Sequence, residues 1–493
     1  MRFTYTVGLA LCLLLLLVIA GCGGSVGPDT GSVTGKVLNI VGRVPISQAV
    51  VSVQGTTIST LTASDGSYTL KNVPVGVHTL LVTLNGFSAF TIQVSVVTGV
   101  TATPADIILT AVARKWTVLV FLNAKNNLES FSVDNINQME VAPANPEVTI
   151  AVELGRLASS RPAAAGTWVG TKRFTIVHDN DPSTITSFTT SPVIDDLGSR
   201  NMGSTAELAD FISWGKRTFP AEHYMVVLWD HGNGWRARTL APTMAQPRAI
   251  SMDDEYGTSI SGKDLPLGLA SNPPLDIVAM DACLMQMLEV GYQIRSNCSY
   301  IVGSEENVPG SGYPYDKWLT PLAQNPSLTP RDFASVIANQ TVQFYLASQS
   351  LITHSVVDTA KLPQLATAID GFAGSLLGIT GSEATALATA RDNADYFGSP
   401  YYTDYKDLYD YADQVALNVQ SNEVKTAAAA VKTAVNNAVI TNAIGSYHTR
   451  ARGISIYVPN GVVFTNINNG PLYNTLDLAK NTRWGQFLGA QKQ

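Results

Sequence analysis

Beyond residue 112 the chain is built from short apolar runs bounded by glycine or aspartate and separated by helix-like stretches. Trp116-Thr-Val-Leu-Val-Phe-Leu122 is nearly continuous in apolar residues, the pattern of a strand buried on both faces. Val148-Thr-Ile-Ala-Val152, the run from Tyr224 to Trp229 and the run from Leu275 to Met280 read the same way. Glu129 to Met139, Thr205 to Trp214, Ala360 to Leu377 and Asn422 to Ile440 read as helices, and Gly453-Ile-Ser-Ile-Tyr-Val458, stopped by Pro459, as a late buried strand. Alternation of this kind predicts an α/β fold in which a mostly parallel sheet is covered by helices.

Residues 31 to about 112 follow a different pattern, rich in Val, Thr and Gly with period-two alternation and frequent turn signals. Thr62-Ala-Ser-Asp-Gly66-Ser-Tyr-Thr-Leu70 carries an Asp-Gly turn, and Asn72-Val-Pro-Val-Gly76 supplies the next. The pattern predicts a small antiparallel β-sandwich over residues 32–112, and the change of composition at Ala111-Val-Ala-Arg-Lys115 opens the α/β domain at 113–493. The segment from Ser64 to Leu80 is similar to the carboxypeptidase regulatory-like modules of exported enzymes, which implies a spacer or adhesion role.

The first residues belong to neither domain. Arg2 precedes an apolar stretch from Gly8 to Ala20, and this is shorter than the ~20 residues that span a bilayer. Residues 1–21 are therefore read as a signal peptide. It closes on Ile19-Ala20-Gly21-Cys22, which resembles the lipobox of bacterial lipoproteins and makes Cys22 the lipidated first residue of the mature chain; an incidental cysteine at an ordinary cleavage site is the alternative. Residues 22–31 read as a Gly/Ser-rich tether. The expectation is an exported protein, lipid-anchored to the bacterial cell envelope at the outer membrane or cell surface.

At 493 residues with 45% hydrophobic and 14% charged positions the chain is globular, and a net charge of −7 gives no basic footprint for nucleic acid. Of the four cysteines, Cys283 and Cys298 are free to form a disulfide once the N-terminus is processed, but nothing in the sequence brings them together. His178-Asp-Asn-Asp-Pro182 and Met252-Asp-Asp-Glu255 offer oxygen ligands for calcium, without EF-hand spacing; solvated loop acids are the simpler reading. HExxH, Walker, GxGxxG and CxxC patterns are absent, as is a GxSxG serine elbow.

Two strand runs end on reactive side chains: Leu228-Trp-Asp-His231-Gly-Asn-Gly-Trp235 and Met280-Asp-Ala-Cys283-Leu-Met285. In open α/β sheets ligands bind beyond the carboxyl ends of strands, so adjacent strands would aim an imidazole and a thiol into one cleft. Taken singly, Cys283 also reads as a small buried residue and His231 as a structural one. Helical character from Leu284 to Val290 predicts a strand-to-helix turn at the cysteine, whose free backbone N–H groups, with that of Gly232, would bind an oxyanion. His354 and His448 fall in or near core elements and read as structural.

These segments, with Trp116-Thr-Val-Leu-Val, Asn126-Asn-Leu-Glu129, Asn201-Met-Gly203, Gly303-Ser-Glu-Glu-Asn307, Asp407-Leu-Tyr409 and Gly453-Ile-Ser-Ile-Tyr457, resemble the clostripain family of cysteine peptidases across residues 113 to 490. The resemblance implies a caspase-like α/β/α sandwich, a Cys283 nucleophile, and His231 to polarise the scissile bond and protonate the leaving amine. It needs no cofactor, leaves calcium open, and implies protein or peptide substrates. Asp281 matches the family and would line the substrate site; a helix-capping carboxylate is the alternative. Family members commonly cut after Arg or Lys, yet Ser311 stands in Val308-Pro-Gly-Ser311-Gly-Tyr-Pro-Tyr315 where an acid is expected. Asp281, Glu305 or Glu306 could compensate, and the expectation is an altered or relaxed P1 preference. Self-cleavage between Arg236 and Arg248 is a further family trait. The rival reading is a surface-binding lipoprotein that keeps the fold without turnover.

Overall fold

The computed structural model of the chain describes residues 29–40, 42–84, 86–111, 114–157, 166–181, 184–236, 250–398, 403–465 and 469–491. Residues 1–28, which include the expected signal peptide and Cys22, and residues 237–249, where self-cleavage is expected, lie outside the described residues. The chain separates into two compact units, Met1–Ala111 and Val112–Gln493.

In the first unit, alternating valines and leucines drive two four-stranded sheets together around Val33, Val51, Leu70, Leu80, Val82 and Ile107. One sheet is antiparallel throughout. In the other, Thr30–Asn39 pairs antiparallel with Ser67–Pro74 and parallel with the short strands Thr101–Ala102 and Ile107–Leu109, so the expected antiparallel sandwich carries two short parallel pairings.

The second unit is organised by a nine-stranded sheet. Its strands are β1 (Arg114–Ala124), β2 (Val148–Arg156), β3 (Gly170–Thr175), β4 (Ile194–Gly198), β5 (Ala221–Trp229), β6 (Leu275–Asp281), β7 (Cys298–Gly303), β8 (Thr353–Asp358) and β9 (Val439–Ile444). They lie in the order β4-β3-β2-β1-β5-β6-β7-β8-β9. The block from β2 to β7 is parallel, and β3, β4, β8 and β9 add antiparallel pairings at the two edges.

The apolar runs earn their burial by serving both faces. Leu119, Phe121, Val226, Leu228, Val278 and Met280 pack into one core with Leu208, Phe211 and Ile212 of the helix Thr205–Thr218 and with the helices Leu362–Leu377 and Asn422–Ala438. Their neighbours Val118, Val120, Met225, Val227, Ile277 and Ala279 pack into the other, under the helices Glu129–Val141 and Pro330–Tyr345. Successive residues of a strand point to opposite faces, so only a continuous apolar run satisfies a three-layer sandwich. The predicted strand at 453–458 is the exception: only Ser455–Tyr457 is extended, and it pairs with Tyr405–Asp407 in a separate ribbon rather than entering the sheet.

Strand order reverses between β1 and β5, because β1 leads out to β2 on one side while β5 returns to pair on the other. Such a switch point leaves a crevice beyond the strand ends. The segments following β1, β5 and β6 meet there.

Candidate active site

Trp229 is in register with Asp281 at the last pairing of β5 and β6, and Asp230 N–H donates to the Asp281 carbonyl at 3.3 Å. His231 and Cys283 each follow two residues later and line one cavity of about 210 Å³, together with Asp281, Trp229, Val308 and Gly310. Gly232 lies against the Cys283 backbone: a Cβ on it would sit 2.9 Å from Cys283 N. The glycine is thus required for close approach of the two strand ends.

His231 is oriented from the switch point. Its Nε2 is 2.7 Å from Asn127 Oδ1, on the segment that follows β1. With the amide in this orientation Nε2 carries the proton. Asp230 is buried and fixes the backbone beneath it, accepting from His231 N–H, from Asn126 Nδ2 at 2.8 Å and from Met252 N–H. Burial holds the Asp230 carboxyl well above the usual carboxylate range and pushes the His231 imidazole below its ordinary value, against the opposing charge of Asp254.

Cys283 occupies a turn, not the start of a helix. The expected helix begins only at Leu288 and runs seven residues to Ile294. Residues 284 to 287 are instead tied to neighbouring segments: Leu284 N–H donates to Glu306 O, Gln286 N–H to Ser304 O, and Met287 bridges to Ser455. Leu284 has φ of 62°, a conformation that a non-glycine residue adopts under constraint and that is concentrated at functional sites. Val308 N–H donates to Cys283 Sγ at 3.4 Å, so the amide beside the sulfur comes from this loop rather than from a helix terminus. Burial pushes the thiol up to about 11, opposed by the Val308 amide and reinforced by the nearby Glu306 and Asp281 charges. Near neutral pH the site therefore holds a thiol and a neutral imidazole.

Asp281 lies in the cavity wall beneath Cys283. Its Oδ2 accepts from Tyr313 N–H at 2.9 Å and from Tyr315 Oη–H at 3.0 Å, while Oδ1 takes no hydrogen bond among the described residues. Burial raises this carboxyl to about 7 despite those two donors. It caps no helix, which removes the alternative reading. Gly312 is the close neighbour of Oδ2, with a Cβ there at 2.8 Å.

The remaining acids do not join this cavity. The Ser311 hydroxyl is 2.7 Å from Tyr345 Oη, and the lining on either side of it is Gly310 and Gly312. Glu305 accepts from Gly453 N–H, and burial together with Asp407 raises its carboxyl well above the usual range. Glu306 faces His448 and Gly398 N–H. Of the acids in the 252–255 segment, Glu255 and Asp253 are held by Lys125, whose Nζ lies 2.5 Å from Glu255 Oε2 and 3.7 Å from Asp253 Oδ2. Cys298 and Cys283 are both free thiols. Cys298 pairs with Leu275 at the opposite end of β6, out of disulfide reach.

Asn127, Asp230, Tyr313 and Tyr315 received no role from the sequence. Asn127 and Asp230 stand inside segments that carry the family pattern, so the clue was their position within a matching motif; Tyr313 and Tyr315 lie in the loop that departs from it, and nothing in their residue types points to this geometry.

An imidazole and a thiol at adjoining strand ends of a doubly covered sheet define a cysteine peptidase of the α/β/α class. The chain belongs to the clostripain family, whose sequence profile matches residues 120–490. A carboxypeptidase regulatory-like domain profile matches residues 33–111. The chain is 23% identical over 401 residues to clostripain of Hathewaya histolytica, covering 71% of this chain and 75% of that protein. Its fold is similar to a secreted C11 cysteine protease from Bacteroides thetaiotaomicron solved with an irreversible peptide inhibitor: TM-score 0.56 and 20% identity, over 75% of this chain and 99% of the other. An inactive zymogen C11 protease from Parabacteroides distasonis matches with TM-score 0.55 and 22% identity over the same shares of the two chains.

Proposed function

We propose that this cysteine peptidase is an endopeptidase of the bacterial cell envelope whose dyad is His231 and Cys283. The observation that carries the reading is their equal advance beyond the Trp229–Asp281 pair into one cavity. Cys283 Sγ attacks the scissile carbonyl as its proton leaves, because the neutral thiol is a poor nucleophile. His231 takes up that proton and delivers it to the departing amine, whose nitrogen needs it to leave as a free amino terminus. The backbone N–H groups of Gly232 and Cys283 stabilise the oxyanion of the tetrahedral intermediate. Water then hydrolyses the thioester. Thiol, imidazole and backbone dipoles suffice for these steps, so no cofactor is required.

Asp281 is the acid of the P1 pocket. Among the described residues lining the cavity it is the one carboxylate with an oxygen that takes no hydrogen bond, since Asp230 is committed to the His231 and Met252 amides and the Asn126 side chain; the Ser311 hydroxyl is held by Tyr345. A single carboxylate that ionises near pH 7 pairs weakly with Arg or Lys, so P1 selectivity is relaxed relative to a pocket with two acids. Cys22 carries the lipid, and export agrees with the secreted Bacteroides relative. Profiling of peptides released by the purified mature enzyme tests activity and P1 choice together. Strict cleavage after Arg would sink the relaxed-pocket reading. A thiol-reactive peptide probe that fails to label reduced wild type would favour the surface-binding alternative.

A further inference from the structure

A second cavity, of about 410 Å³, adjoins the Cys283 cavity and shares Val308 and Pro309 with it. We propose that this cavity is the P2 subsite and that it selects bulky apolar or aromatic side chains; the inference rests on the His231–Cys283 dyad.

Its place along the sheet assigns it to the acyl half of the substrate. His231 follows β5, Cys283 follows β6, and the Val308 loop follows β7, in that spatial order. Ile352 immediately precedes β8, and Tyr447 and His448 follow β9, so this side of the cavity lies beyond β7; Asp395 and Tyr396 complete it from the segment ahead of the Tyr405–Asp407 strand. The amine leaves on the side of the imidazole that protonates it. The residues N-terminal to the scissile bond therefore extend the other way, past Cys283 and across Val308. Side chains of an extended peptide alternate in direction at ~3.3 Å per residue. When the P1 side chain enters the Asp281 cavity, the next one points to the opposite side of the Val308–Pro309 strip, into the larger cavity.

The lining specifies the chemistry. Its rim holds Leu351 and Tyr447, large side chains that are 44% and 65% exposed, and its wall adds Ile352 and Tyr396. The acids at its base are already matched. Glu306 accepts from Asn307 N–H at 2.6 Å and from Gly398 N–H at 3.0 Å, and faces His448 Nε2 at 3.3 Å. Asp395 Oδ1 accepts from Tyr396 N–H at 3.1 Å and faces His448 Nδ1 at 3.0 Å. A cationic P2 side chain would find these carboxylates engaged, whereas an apolar one covers exposed carbon and displaces water.

The test uses the full-length mature enzyme and a peptide series that holds P1 at the residue best cleaved and varies P2 through Phe, Tyr, Leu, Gly, Glu and Lys. Phe, Tyr and Leu are expected to exceed Gly in kcat/KM by about tenfold or more, the scale of filling an apolar pocket. In the double variant Tyr447→Ala/Leu351→Ala, both rim positions, that ratio falls toward one. A flat P2 profile in wild type overturns the inference, as does an equal loss for every P2 residue in the variant, or a preference that appears at P3 or P1′ instead. Failure of the dyad reading gives a separate result: cleavage of every peptide then persists in Cys283→Ala.

Discussion

His231 and Cys283 stand equally far, two residues, beyond the Trp229–Asp281 pair that closes the β5–β6 ladder. Parallel strands in register advance together at ~3.3 Å per residue, so the ladder itself delivers imidazole and thiol to the same height above the sheet. Cys283→Ala is expected to abolish peptide hydrolysis and probe labelling. His231→Gln should lower kcat by about 10²–10⁴, the usual contribution of a positioned acid–base group. Because the two act as one unit, the double variant should be no slower than Cys283→Ala alone. Steady-state kinetics with a fluorogenic peptide checks this, and thermal melts near those of wild type exclude misfolding.

Asn127 reaches across the strand-order reversal to hold the imidazole at 2.7 Å. Asn127→Ala should leave the fold intact and lower kcat by about 10- to 100-fold through loss of orientation, with little change in KM. Asn127→Asp gives a sharper signature. A carboxylate beside the ring favours imidazolium, which moves the His231 limb of the kcat–pH profile to higher pH. An unchanged profile in the Asp variant would mean that this contact does not set the histidine's state.

Asp281 makes the P1 pocket sensitive to pH. With its carboxyl raised to about 7 by burial, the pocket is neutral below that value and anionic above it. Cleavage after Lys should therefore gain from a rising limb near pH 7 that cleavage after an uncharged residue lacks. Asp281→Asn should erase this difference, bringing kcat/KM for Lys substrates above pH 7 down to the level of an uncharged P1 residue. The same ionisation affects the fold: the raised value means that stability from this group is complete below the unfolded pKa and is lost as pH rises through about 7. Asp281→Asn should remove that loss, which unfolding in urea at pH 5 and pH 8.5 would reveal.

The three-layer fold was readable because continuous apolar runs leave few other solutions. The runs at Trp116 to Leu122, Val148 to Val152, Tyr224 to Trp229 and Leu275 to Met280 each became a doubly buried strand of the parallel block. Short-range pattern failed where tertiary contacts decide. Leu284 to Val290 has helical composition, but Leu284 and Gln286 give their amides to the Glu306 and Ser304 carbonyls, and this holds the helix off until Leu288. Gly453 to Val458 is apolar enough for the sheet, yet Ser455 and Tyr457 give their amides to Gln286 O and the Glu289 carboxyl, which holds the segment against Tyr405–Asp407 instead. At the site, His231 and Cys283 were legible as strand ends. Asn127 was not, since its contact depends on the reversal between β1 and β5. Reading His448 as a core residue recovered its burial and missed the two carboxylates it joins.

His448 is buried between Glu306 and Asp395, and it is expected to make the fold alkali-sensitive. Burial alone would lower the imidazole, but its contacts to the Asp395 and Glu306 carboxylates outweigh this and raise it to about 9. The rings of Phe397 and Tyr447 lie beside it, with centroids 4.9 and 5.0 Å from that of the imidazole. A folded value above the unfolded one means that the folded chain holds the extra proton. Its stabilising effect is therefore complete below about pH 6.5 and disappears as pH rises through about 9, a total of about 3 kcal/mol. His448→Gln should be destabilised most at pH 6, with the gap to wild type closing by pH 9.5, as measured by urea unfolding across that range. A gap that stays constant with pH would show that packing against Phe397 and Tyr447, rather than the proton shared with Glu306 and Asp395, is what His448 supplies. Glu306 also holds Leu284 N–H through its carbonyl and precedes the Val308 amide at Cys283 Sγ. Alkaline loss of the His448 proton should therefore reduce peptidase activity before the global transition, a sequence visible when activity and tryptophan fluorescence are followed in the same pH titration.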